Sequence, residues 1–256
     1  MEKVVNIDVA GSSMETTLVT PDGMRPFPAV ILCHHREGVD QFTIDAARRL
    51  AKGGLLTAVP NFYHRRPHDE GWQISRKTMQ DAEVVFDLKA TTDFLAGLPD
   101  VQADMIGIVG HCMGGRTAFI GAATIANLKA AVILYGGHLF KTEGEGTPPP
   151  IELIKDVKAP ILGLYGDRDH VIPLDEIKRV MAEIAEARIA HEFHIYENAG
   201  HAFQDFSRPD HYRKEAAEDA WARALAFLAE KLGARSDSRS PLAEASRTIT
   251  TLRRVQ

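Results

Sequence analysis

Residues 105–112 read Met-Ile-Gly-Ile-Val-Gly-His-Cys and lead straight into Met113, Gly114, Gly115 and a run of small residues. An apolar stretch of strand length thus ends in a Gly-x-Cys-x-Gly turn and continues as a helix. Such a turn is too tight for side chains two places before or two places after its centre, which is why glycine occupies both. It requires a strand arriving and a helix leaving, so it predicts an α/β fold whose strands end along one edge. It also sets Cys112 at a helix N-terminus, where unpaired backbone N–H groups face the site. Elsewhere a free cysteine is most often a small buried hydrophobe. Here the strand–turn–helix setting points to a nucleophile.

The rest of the chain repeats the alternation. Residues 4–9 and 14–20 read as two strands joined by the Gly11-Ser12-Ser13 turn, an antiparallel edge. Buried strands are predicted at 29–33, 55–59, 105–109, 130–134, 161–165 and 191–196. Between them lie helices at 43–52 (stopped by Gly53-Gly54), 117–125 and 174–185. Residues 73–97 carry Val84, Val85, Leu88, Phe94 and Leu95 at helical spacing, and Trp221, Leu225, Leu228 and Leu232 mark a closing helix. The expected architecture is a mainly parallel, doubly wound sheet with helices on both faces, in one domain over residues 1–234. Residues 138–150 form a polar, Pro-rich loop expected near the ligand mouth. Residues 235–256 are a basic tail, read as disordered or as an arm against a neighbouring subunit.

Composition limits the function. A net charge of −5 argues against nucleic acid as a partner. The chain has no apolar run of membrane-spanning length and no secretory h-region at its start. With two cysteines, Cys33 and Cys112, no disulfide framework holds the fold, and a cytoplasmic setting is expected.

An acid and a base follow the nucleophile in the order nucleophile, acid, histidine. After the predicted strand 161–165 comes Gly166-Asp167-Arg168-Asp169-His170-Val171-Ile172-Pro173; Asp169 is the expected acid, with Asp167 as the alternative. After strand 191–196 comes Glu197-Asn198-Ala199-Gly200-His201, which puts His201 on a loop at the same edge. His34, His35 and His138 also fall at strand ends near that mouth.

Taken together, AVILCHHREGVDQF, LLTAVPNFYHR, GIVGHCMGG, LYGDRDHVIP and YENAGHAFQDF resemble, in order, the dienelactone hydrolase family, from about residue 15 to residue 232. The resemblance implies an α/β-hydrolase with a Cys-His-Asp triad at Cys112, His201 and Asp169. It implies attack on a small ester or lactone without a metal or organic cofactor. It also implies an oxyanion hole from the backbone N–H groups of Met113 and Arg36. His35, Glu37, Tyr135 and His138 are candidates to surround the site.

The chain departs from the family at two points. The family glutamate that pairs with the resting thiol aligns with His35, with Glu37 displaced by two, so His35 is expected either to couple to Cys112 or to fill a hydrogen-bonding place and point away. The family arginine for the substrate carboxylate aligns with Asp205, which predicts a preference for neutral esters unless Arg36, Arg65, Arg66, Arg76 or Lys77 compensates. A carboxylesterase or thioesterase of another substrate class, and a degenerate hydrolase that only binds a ligand, are the alternatives. A homo-oligomer is compatible with the sequence.

Overall fold

The computed structural model describes residues 1–67 and 71–234; the tail expectation for 235–256 lies outside the described residues. Eight strands form one sheet in the order β1-β2-β4-β3-β5-β6-β7-β8. β1 (Glu2–Val9) and β2 (Ser12–Val19) make a hairpin closed by Ala10 and Gly11, both at positive φ (51° and 86°). That two-residue turn suits the twist of an antiparallel pair, and it leaves Ser12 and Ser13 in the strand. β2 also runs antiparallel to β4 (Leu56–Pro60). From β4 onward every pairing is parallel, through β3 (Phe27–Cys33), β5 (Val101–His111), β6 (Ala131–Leu134), β7 (Ile161–Gly166) and β8 (His191–Tyr196).

Central strands are apolar along their length because helices cover both faces. All seven residues of β3 are buried. Neighbouring residues of β5 show the two layers. Gly107 lies against Leu228 and Leu232 of α6 (Lys214–Leu232), whereas Ile108 lies against Gly121 of α4 (Met113–Thr124). Side chains alternate across a sheet, so these two helices lie on opposite faces. α1 (Gln41–Lys52) joins α6, with the Arg49 guanidinium 5.0 Å from the Trp221 ring centre. Among the described residues no helix is long and apolar enough to cross a membrane.

The segment 73–97 is two helices rather than one. α2 (Trp72–Thr78) stops at Met79, and α3 (Asp81–Ala96) begins afresh. Gln80 takes extended backbone angles, and the Glu83 carboxylate reaches back to its N–H to form a capping box. Apolar periodicity runs through this break without registering it. The 138–150 loop ends in a 3-10 helix, Pro150–Asp156, that the sequence pattern does not signal. α5 (Leu174–Glu186) completes the fold.

Arg116 holds this loop to the helical layer. It is 2% exposed and its Nη2 donates to Asp81 Oδ2 at 2.6 Å and to Lys141 O at 2.8 Å, while Nη1 donates to His138 O. Removing one member of a buried ion pair leaves the other uncompensated, typically at about 3–5 kcal/mol. Arg116→Met is therefore expected to lower the melting temperature by about 10 °C. Arg116→Met combined with Asp81→Asn should recover part of that loss in thermal denaturation, because the stranded charge is then gone.

Candidate active site

The carboxyl ends of β3, β5, β6, β7 and β8 bring the candidate residues together. The turn after β5 is possible only without Cβ atoms at two positions. A Cβ on Gly110 would lie 1.9 Å from Gly114 O, and one on Gly114 would lie 2.1 Å from Cys33 O. Cys112 itself sits at φ 55°, a conformation that strains a residue with a side chain by about 1–3 kcal/mol. Its N–H donates to Leu134 O at 3.0 Å, and its carbonyl accepts from Gly115 N–H at 2.9 Å. These bonds hold the strained residue in place.

His201 Nε2 lies 3.0 Å from Cys112 Sγ, and His201 Nδ1 lies 2.8 Å from Asp169 Oδ2. The other oxygen of Asp169 accepts from the N–H groups of Val171 (2.8 Å) and Ile172 (2.9 Å). Asp169 is thereby locked while one oxygen stays free for the imidazole. Asp167, the alternative acid, makes no contact with His201: its N–H donates to Tyr196 O and its carboxylate lies 3.8 Å from Arg168 Nε. The Tyr135 ring stands edge-on to His201 at 5.2 Å between centres, and Tyr135 is buried at φ 40°.

Burial opposes a positive imidazole at His201, but the Asp169 hydrogen bond and the nearby Cys112 outweigh it and raise the pKa from 6.5 to about 9. The sign follows from linkage. A folded-state pKa above the unfolded value gives stabilisation that is complete below pH 6.5 and fades as pH rises through 9. The melting-temperature gap between the parent and His201→Asn should accordingly be larger at pH 6 than at pH 10. The shift corresponds to at most about 3 kcal/mol. An equal gap at both values would mean that His201 is not held as the charged form.

Met113 and Arg36 line the same cleft as Cys112. Met113 opens α4, and Arg36 lies on the loop after β3; among the described residues neither N–H has a protein acceptor. Tyr63 joins the two loops, its hydroxyl donating to Arg36 O at 2.8 Å and lying 3.3 Å from Met113 Sδ. Tyr63 was legible only as part of NFYHR, and nothing in its spacing marks this position.

His35 does not turn toward the thiol. Its Nδ1 lies 3.0 Å from Glu37 Oε2, and its Nε2 lies 2.9 Å from Asp40 Oδ2 at ion-pair distance but off the hydrogen-bond axis. Asp40 serves twice, since its Oδ1 caps α1 by accepting from Thr43 N–H at 3.0 Å. Glu37 also accepts from Arg36 Nε (3.0 Å) and Arg208 Nη2 (2.7 Å). His34 is buried and pushed down to about 4, chiefly by desolvation; its Nε2 accepts from Phe62 N–H.

Asp205 is not in the cleft. It is 1% exposed, and its carboxylate accepts from Ser207 N–H and Oγ and pairs with Arg208 Nε at 3.0 Å. The expectation of a neutral-ester preference therefore loses its basis. The candidate cations also separate. Arg65 pairs with the buried Asp87 at 2.7 Å, and Arg66 pairs with Glu83. Arg36, Arg76 and Lys77 instead line a cleft of about 380 Å³ together with Cys112, Tyr135, His138 and His201. Arg76 also pairs with Glu143 at 2.5 Å, and the Arg36 guanidinium lies 5.3 Å from the Trp72 ring centre.

The sheet order and the strand–turn–helix at Cys112 define an α/β-hydrolase fold. The chain belongs to the dienelactone hydrolase family, whose model matches residues 14–232. It is 35% identical over 205 residues to the "Putative carboxymethylenebutenolidase" of Methylorubrum extorquens, covering 77% of this chain and 70% of that one. A protein of the same name in Yersinia pestis is 33% identical, with 86% and 85% covered. Among solved structures, a "Putative Dienelactone Hydrolase" from Klebsiella pneumoniae superposes with a TM-score of 0.82 at 31% identity, covering 90% of this chain and 98% of that one.

Proposed function

We propose that the protein hydrolyses a small ester or lactone through a cysteine acyl-enzyme, with Cys112 as nucleophile, His201 as general base and acid, and Asp169 orienting the imidazole. The observation that carries this is the unbroken relay from Asp169 through His201 to Cys112 Sγ, opening on the cleft. The thiol proton passes first to His201 Nε2, whose protonated form Asp169 favours; Sγ then bonds to the carbonyl carbon, and the oxyanion accepts from Met113 and Arg36 N–H. The C–O bond then breaks, and the imidazolium returns its proton to the departing alkoxide. A water, deprotonated by His201, splits the thioester to release the acid and the free thiol.

The cleft favours a substrate bearing a carboxylate or another anionic group. Arg36, Arg76 and Lys77 line it with Cys112; Glu37 and Glu143 pair with the first two, and Lys77 has no ion-pair partner among the described residues. Both thiols are free, Cys33 being buried and Cys112 partly so. A reducing, cytoplasmic compartment suits an enzyme whose reaction needs one of them.

Cys112→Ala is expected to abolish ester hydrolysis in a folded protein, while Cys33→Ala keeps most of it. Asp169→Asn should lower kcat by on the order of 10³ or more, and Asp167→Asn far less. Exchanged outcomes in steady-state assays would reassign the acid. Charge selectivity is tested by Arg76→Gln, expected to raise KM for a carboxylate-bearing lactone by about tenfold while leaving a neutral p-nitrophenyl ester nearly unchanged. Equal effects on both substrates would remove the anion preference but not the reaction class.

A further inference from the structure

A second cavity of about 570 Å³ lies between α1 and the start of α6 and shares no lining residue with the catalytic cleft. Its walls are aromatic: Phe42, Tyr212, Trp221 and Phe206, the last 56% exposed. The Arg49 guanidinium is half-buried over the Trp221 ring, and no carboxylate among the described residues lies within ion-pair distance of it. The other cations on the rim are Lys52 and Arg48, and Arg48 is already paired to Asp45 and Glu2. Glu218 is the remaining acid. With Arg48 engaged by Asp45 and Glu2, Arg49 and Lys52 stand against Glu218 alone.

At the inner end is Gln204, 2% exposed, whose Oε1 and Nε2 both lack a hydrogen-bond partner. It lies beside His111, whose Nε2 is also unpartnered. A buried amide with neither end satisfied costs about 1–3 kcal/mol. Such groups ordinarily face something that pairs with them.

We infer that this cavity is a binding site for a planar aromatic carboxylate, with the ring among Phe42, Trp221 and Phe206, the carboxylate on Arg49, and the Gln204 amide closing the inner end. Aromatic walls supply area and ring–ring contact. An unpaired guanidinium supplies a two-pronged, charge-assisted bond to a carboxylate. This site is separate from the cleft that holds Cys112, and it does not depend on the reaction assigned there.

The chain has two tryptophans, Trp72 in the cleft and Trp221 in the second cavity, so full-length Trp72→Phe protein reports on Trp221 alone. Benzoate titrated into it should change Trp221 emission saturably, with a dissociation constant of about 1 mM or tighter. Arg49→Gln should weaken this by about tenfold or more, whereas Arg76→Gln should leave it unchanged, and benzamide should bind less well than benzoate. The inference falls if no saturable change occurs, if Arg49→Gln binds as the parent does, or if Arg76→Gln abolishes binding, which would place benzoate in the cleft. It also falls if sedimentation shows a dimer that Phe206→Ser dissociates and benzoate does not bind, because the cavity would then be covered by a second copy. If benzoate does not bind and Gln204→Leu raises stability, the amide faces only water.

Discussion

The close approach of the Cys112 turn to the end of β3 is the contact on which the rest of the site depends. Gly114 sits against Cys33 O so tightly that one added carbon would overlap it. That approach brings the start of α4 against the end of β3, whose following loop carries Arg36. Neither of the N–H donors proposed at Met113 and Arg36 needs a particular side chain, only a backbone held in place. Tyr63, bonded to Arg36 O and touching Met113 Sδ, holds both loops at once.

The relay behind the thiol rests on an opposed pair of effects. Burial alone would favour a neutral His201, and Asp169 reverses that. Asp169 can do so because two backbone N–H groups fix its second oxygen and keep its negative charge solvated inside the protein. His111, one residue before Cys112, shows the result without such a partner: buried among Phe42, Tyr135 and Trp221, it is driven down to about 3. Two imidazoles near one turn are thus pushed in opposite directions because one has a carboxylate and the other does not.

Much of this was legible in the sequence, and the boundary follows physical range. Period-two and short apolar runs located the strands, since a buried strand is a local pattern with a local cause. The Gly-x-Cys-x-Gly turn, Asp169 before Pro173 and His201 after Gly200 were legible because each is a loop constraint written within a few residues. The Met79–Gln80 break was not, because a capping box interrupts a helix without interrupting its apolar face. His35 was left undecided and Asp205 misjudged for another reason. Alignment places a residue along the chain, but the direction of its side chain is set by what awaits it. Glu37 and Asp40 await His35, and Arg208 and Ser207 await Asp205.

The same distinction explains which cations serve the cleft. Arg65, Arg66 and Arg76 have similar neighbours in sequence, and composition cannot rank them. Their partners come from α3 and from the loop after β6: Asp87 for Arg65, Glu83 for Arg66, Glu143 for Arg76. Asp87 is fully buried and faces α3's own side of the sheet, so Arg65 is drawn away from the cleft. Glu143 sits on the 138–150 loop at the cleft's rim, so the arginine that it holds stays at the mouth. Glu143 N–H in turn donates to Asp81, the carboxylate that Arg116 neutralises. The position of Arg76 therefore depends on the buried Arg116–Asp81 pair, and the charge of the cleft is set by packing as much as by the residues that line it.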